Sequence, residues 1–136
     1  MKTTGIIILS FWIITASKAQ ENELIGTWTV FEMTYLNNQE SHKMTEDSLK
    51  AQNLFEDYYF MNDSKFKQTG NLSGHGSVTT ENGTWKITDN KMIMTLQIGE
   101  RKLDIDYTWE LKDKILLLKR TNPEGTFKVT MALRKK

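Results

Sequence analysis

From Trp85 onward, apolar and polar residues alternate in short runs separated by turn signals. That two-residue period predicts antiparallel strands with one face in a core and the other in water. In Leu103 to Leu111, the clearest run, Leu103, Ile105, Tyr107, Trp109 and Leu111 share one face, while Asp104, Asp106, Thr108 and Glu110 share the other. Met92, Met94, Leu96 and Ile98 repeat the pattern, as do Phe127, Val129, Met131 and Leu133. Ile115 to Leu118 is continuously apolar and predicts a strand covered on both faces. Upstream, Ile25 to Leu36 reads as a long first strand in which Trp28 and Val30 lie on the opposite parity from Phe31, Met33 and Tyr35, and a bulge near Val30 and Phe31 reconciles the two sets. Tyr58 to Met61, the turn Asn62-Asp63-Ser64, and Lys65 to Thr69 read as a hairpin. Between them, Thr45 to Asp57 predicts an amphipathic helix of about three turns, with Thr45 as cap, Glu46 and Asp47 in the first turn, and Leu49, Leu54 and Phe55 on its apolar side.

The strands then run over 25–36, 57–62, 65–69, 83–88, 91–98, 102–111, 114–121 and 125–134, and this number closes a small barrel. The expected fold is all-β, an eight-stranded antiparallel up-and-down barrel with one helix in the first long connection. Tight turns at Asn62-Asp63-Ser64, Asp89-Asn90 and Lys112-Asp113 alternate with longer links over 37–56, 70–82, 99–101 and 122–124. In a meander alternate connections share an end, so the long links gather at one mouth and the tight turns pinch the other. Gly70, Gly74 and Gly76 make the segment 70–76 a rim without a fixed backbone.

Composition narrows the function more than it changes the fold. The 136 residues are 38% hydrophobic and 26% charged, which predicts one globular domain. A net charge of +1 removes the electrostatic footprint of a nucleic-acid binder. The absence of cysteine excludes disulfides, thiolate metal sites and thiol catalysis.

The first nineteen residues read as a secretory signal peptide. Lys2 precedes the apolar run Ile6 to Ile14, and the small residues Ser17 and Ala19 place cleavage before Gln20. The run is too short to cross a bilayer. The expected organisation is therefore a signal peptide over 1–19 and a barrel domain over 20–136, in an exported protein, periplasmic or secreted, with no stable membrane anchor after cleavage. Residues 20–136 keep every acidic side chain and lose only Lys2 and Lys18 from the basic set, which leaves them near neutrality.

Gly26-Thr27-Trp28 opens the first strand near the mature N-terminus and is followed by seven more predicted strands. This resembles the lipocalin-like family, most of all the short lipocalin-like domains of exported bacterial proteins, across roughly Leu24 to Lys136. The resemblance implies that Gly26 and Trp28 plug the closed end and that Arg134 is the basic residue packed on Trp28, although alternation along 127–133 itself directs Arg134 outward. It also implies a non-enzymatic protein that binds or carries a small hydrophobic molecule inside the barrel. A second Gly83-Thr84-Trp85 echoes the first and reads as a recurrent strand opening, with Asn82-Gly83 as its turn.

Under the barrel reading the candidate ligand contacts are Tyr35, Tyr58, Phe60, Met94, Leu96, Ile105, Tyr107, Phe127, Val129 and Met131. Strand direction puts Leu96, Ile105, Phe127 and Val129 toward the mouth, and Tyr35, Tyr58 and Phe60 where the helical connection leaves and rejoins the wall. Met94 and Met131 lend such a pocket adaptability. The alternative reading is a filled scaffold that binds or inhibits another exported protein through its loops.

No catalytic residue, metal ligand or cofactor is predicted. Ser73-Gly74-His75-Gly76-Ser77 brings hydroxyls near an imidazole, but the flanking glycines are too loose to hold attack geometry. Asp104 and Asp106 have the parity of the solvated face, and His42 and His75 have no companion ligands in sequence.

Overall fold

The computed structural model describes residues 20–72 and 76–136. The predicted signal peptide over 1–19, and Ser73 to His75 of the glycine-rich rim, lie outside the described residues. A helical turn over 20–24 leads into nine strands and one short helix: β1 (Gly26–Asn37), β2 (Glu40–Met44), α1 (Glu46–Ala51), β3 (Glu56–Phe60), β4 (Lys65–Gly70), β5 (Thr79–Thr88), β6 (Lys91–Ile98), β7 (Arg101–Lys112), β8 (Ile115–Thr121) and β9 (Phe127–Lys135). All neighbours are antiparallel, and β1 pairs with β9 from Trp28–Lys135 to Asn37–Phe127, which closes β1 and β3 to β9 into an eight-stranded barrel. The register slips between Val30 and Glu32, so Phe31 is the extra residue of a bulge. This is where the parity of the first strand changes hand, and the slip lets Trp28, Val30, Met33 and Tyr35 share the inner face.

The first long connection differs from its expected form. It contains an additional strand, β2, which pairs with the upper half of β1 from Met33–Met44 to Asn37–Glu40, whereas β3 pairs with the lower half from Gly26–Phe60 to Thr29–Asp57. Asn38 and Gln39 both take positive φ (47° and 72°), the two-residue hairpin geometry that matches strand twist. The pairing is set by that turn and not by burial, because β2 is almost wholly exposed and carries no alternating apolar signal. The helix is six residues long instead of about three turns. Thr45 caps it as expected, accepting from the Ser48 amide at 3.2 Å. It stops because Asn53 turns left-handed (φ 54°), so that the Asn53 amide bonds the Lys50 carbonyl and the Leu54 amide bonds that of Leu49, a Schellman ending. Glu56 and Asp57 are consequently strand, not helix.

The tight turns do gather at one end, and the core fills that end. Trp28, Phe60, Phe66, Met92, Leu116 and Leu133 are all but inaccessible to solvent. The Trp28 indole donates to the Leu24 carbonyl at 2.8 Å, which ties the helical turn over 20–24 across the bottom. The indole of Trp85 donates to the Met61 carbonyl at 3.0 Å. The cation on Trp28 is Lys135, with Nζ 5.6 Å from the ring centroid, and not Arg134. Alternation explains the correction: Leu133 points in, so Arg134 points out, where it lies 4.0 Å over the bulged Phe31 ring and pairs with Glu46 of α1 at 3.0 Å.

Gly83 is not in a turn but inside β5, opposite Phe66 on β4 and Leu96 on β6. A β-carbon there would run into the Thr95 carbonyl, backbone that cannot step aside. Glycine is thus required by the close approach of β5 and β6. We expect Gly83→Ala to cost about 1–3 kcal/mol, read as a lower urea midpoint with an unchanged slope, while the same change at a well-spaced strand position stays near neutral.

Candidate functional site

Above the packed closed end the barrel is hollow, with a cavity of about 460 Å³. The two halves differ because of how the rings are spent. Phe60 stacks on Phe66 with centroids 5.5 Å apart and leans on Trp85 at 5.0 Å, which fills the lower barrel. Tyr58 lies over Phe66 at 5.8 Å and is the last ring of the stack. Beyond it the inward positions carry Met33, Leu96, Ile105, Val129 and Met131, which leave the interior open up to Ile98 at the mouth.

Of the predicted contacts, Tyr58, Leu96, Ile105, Tyr107, Val129 and Met131 are brought together around this space. Four are placed elsewhere. Phe60 belongs to the closed-end core, because β3 begins halfway up the wall and runs downward, leaving its last residue beside Gly26. Met94 is buried in the same core. Tyr35 stacks on His42 at 5.0 Å within the β1–β2 hairpin. Phe127 stands at the rim, 39% exposed.

The cavity wall also holds polar groups that were not anticipated: Glu56, Gln68, Thr79, Glu81 and Arg120. Glu56 is buried and accepts from Gln68 Nε2 at 2.9 Å and from the Leu72 amide at 3.2 Å. A carboxylate in such a place is retained only when hydrogen-bonded, and these bonds tie β3, β4 and the start of the rim together. The signal in the sequence was parity. Glu56 shares the side of Tyr58 and Phe60, Gln68 that of Phe66, and Arg120 that of Leu116 and Leu118. A polar residue on the apolar parity of a strand marks an inward polar group, not the strand's end.

Two phenols complete the polar wall. Burial pushes the Tyr58 hydroxyl well above the ordinary phenol range, and Tyr107 and Glu56 push it the same way. Burial also raises Tyr107, against the pull of the Arg120 guanidinium and of hydrogen bonding from Tyr58. The Tyr58 hydroxyl further reaches Met131 Sδ at 3.6 Å. Among the described residues no group of three His, Cys, Asp or Glu could hold a metal ion.

Both tyrosines are held neutral in the folded state, so unfolding releases groups that ionise more easily. Stability is therefore complete below about pH 10, the ordinary phenol value, and falls as pH rises from there toward the folded values. Guanidinium unfolding across that range should show the decline, and Tyr58→Phe should flatten it. An equally steep decline in the variant would mean that this phenol is not buried neutral.

No family model matches the chain, and no curated protein sequence does. Solved structures do. A lipocalin-like protein from Bacteroides uniformis superposes with a TM-score of 0.53 at 18% identity, covering 84% of this chain and 99% of its own. An uncharacterized protein from Bacteroides eggerthii gives 0.51 at 18% identity, covering 82% and 98%. With the β1–β9 closure, the Trp28 plug and the open opposite end already established, these likenesses show the fold: the chain is a lipocalin-like β-barrel.

Proposed function

We infer that the barrel binds a small hydrophobic molecule in its interior and does so as an exported protein. The observation that carries the binding reading is the cavity of about 460 Å³, within the ~300–1,000 Å³ range of small-molecule sites. Half of its lining residues are aliphatic or thioether and two more are tyrosines, so removal of a ligand's apolar surface from water supplies the affinity. The flexible methionines Met33 and Met131 line it and let it fit more than one shape. A filled scaffold acting through its loops would need no such space. Glu56 is engaged with Gln68 and the Tyr58 hydroxyl with Met131 Sδ, which favours a binding pocket over a reactive centre. Export is supported by Lys2, the apolar run Ile6 to Ile14, and the small residues Ser17 and Ala19.

Binding and export are tested separately. Protein purified from cells should retain an apolar adduct in native mass spectrometry, and a fluorescent apolar probe should bind the stripped protein. Ile105→Trp, which places an indole in the cavity, should abolish probe binding while the thermal transition persists, and undiminished binding in that variant would move the site out of the barrel. For export, the intact mass of protein from the periplasmic or culture fraction should correspond to a chain beginning at Gln20. A full-length mass confined to the cytoplasm would sink that part.

A further inference from the structure

The barrel wall is not continuous. β7 and β8 pair from Lys112–Ile115 up to Thr108–Lys119 and no further, although β7 extends to Arg101, still paired with β6, and β8 to Thr121, still paired with β9. Above Thr108 and Lys119 the two strands part and leave a seam in the side of the barrel. Leu103, on the inward parity of β7 beside it, is accordingly 46% exposed. Arg120 stands in this seam. It lines both the inner cavity and an outer groove of about 510 Å³ that it shares with Lys86, Asp104, Asp106 and Thr121. Among the described residues it has no ion-pair partner and is the one cationic side chain lining the cavity.

The charges on either side of the seam favour an anion at the seam itself. On the cavity side, the wall carries the carboxylates of Glu56 and Glu81. Further out, the groove carries those of Asp104 and Asp106, with Lys86 as its other cation. Between them, among the described residues, the Arg120 guanidinium lines both spaces and attracts negative charge, and its planar fork suits a carboxylate.

We propose that the seam between β7 and β8 is a second opening of the cavity, at which Arg120 holds the anionic end of a bound amphiphile whose apolar tail lies inside the barrel. This rests on the reading of the cavity as a ligand site and adds the ligand's class, a long-chain carboxylate or a similarly headed anion, together with its orientation: tail in, head to the side.

Calorimetric titration with dodecanoate and with dodecan-1-ol separates the two readings. The wild-type protein should bind both and prefer the carboxylate. Arg120→Gln should weaken dodecanoate about tenfold and leave the alcohol unchanged, and Arg120→Lys should restore part of the preference. If the alcohol binds but Arg120→Gln leaves dodecanoate unaffected, the seam proposal is overturned while the cavity reading stands. If neither binds the wild type, both fall. A second arm uses the absence of native cysteine. In Asp106→Cys/Thr121→Cys, two positions that face each other across the seam when the β7–β8 register is continued, a short bis-maleimide closes the opening without entering the cavity. Release of dodecanoate should be slower after cross-linking than before it in the same variant, and an unchanged rate would place the exit at the mouth and overturn the seam.

Discussion

The pairing of β1 with β9 is the constraint on which the other features rest. It runs the length of both strands, from Trp28–Lys135 to Asn37–Phe127, and joins the two ends of the chain's one sheet. Without it the inward faces of β1 and β9 would not look at the same space as those of β4 to β7. With it, every inward side chain faces the barrel axis, and what occupies the interior depends only on how large each layer of side chains is. The bulge at Phe31 serves the same closure. It shifts β1 by one residue, so that Trp28 and Val30 below and Met33 above all turn inward despite their conflicting parity.

Given closure, the difference between the two ends follows from volume. The lower layers contain Trp28, Phe60, Phe66 and Trp85, which meet in the middle and exclude solvent. The upper layers contain aliphatic and thioether side chains that do not reach across. The buried carboxylate of the upper wall is tolerated because it is bonded, to Gln68 and to the Leu72 amide. Arg120 differs because it lies where the wall parts and its guanidinium keeps access to water.

Much of this was legible from alternation alone, because a strand buried on one face must write its apolar residues two apart. The alternating runs of β6, β7 and β9, the capping Thr45 and the displaced parity in β1 all appear in the sequence, as do six residues of the cavity wall. The failures have specific physical origins. The strand β2 is held by a two-residue turn at Asn38 and Gln39 and not by burial, so it leaves no apolar period. The helix stops at Asn53 by a local left-handed turn that a longer apolar pattern concealed. Lys135 replaces Arg134 against Trp28 because the alternation of β9 governs which basic residue faces inward, and a likeness to other barrels does not.

The amino-acid order by itself determined which residues lie on the same side of each strand, and, with the strand number and the alternation of tight and long links, that a barrel pinched at one end would form. It determined depth only where strand direction sufficed, as for Leu96, Ile105 and Val129 toward the mouth. Phe60 and Tyr58 share a face of β3, yet one fills the core and the other borders the cavity, because the stagger of β3 against β1 sets the level at which each ring enters. Stagger arises only when strands distant in sequence pair. The same holds for the seam: nothing within β7 or β8 alone marks Thr108 and Lys119 as the last pair, since the parting of two strands is a property of the sheet they curve with.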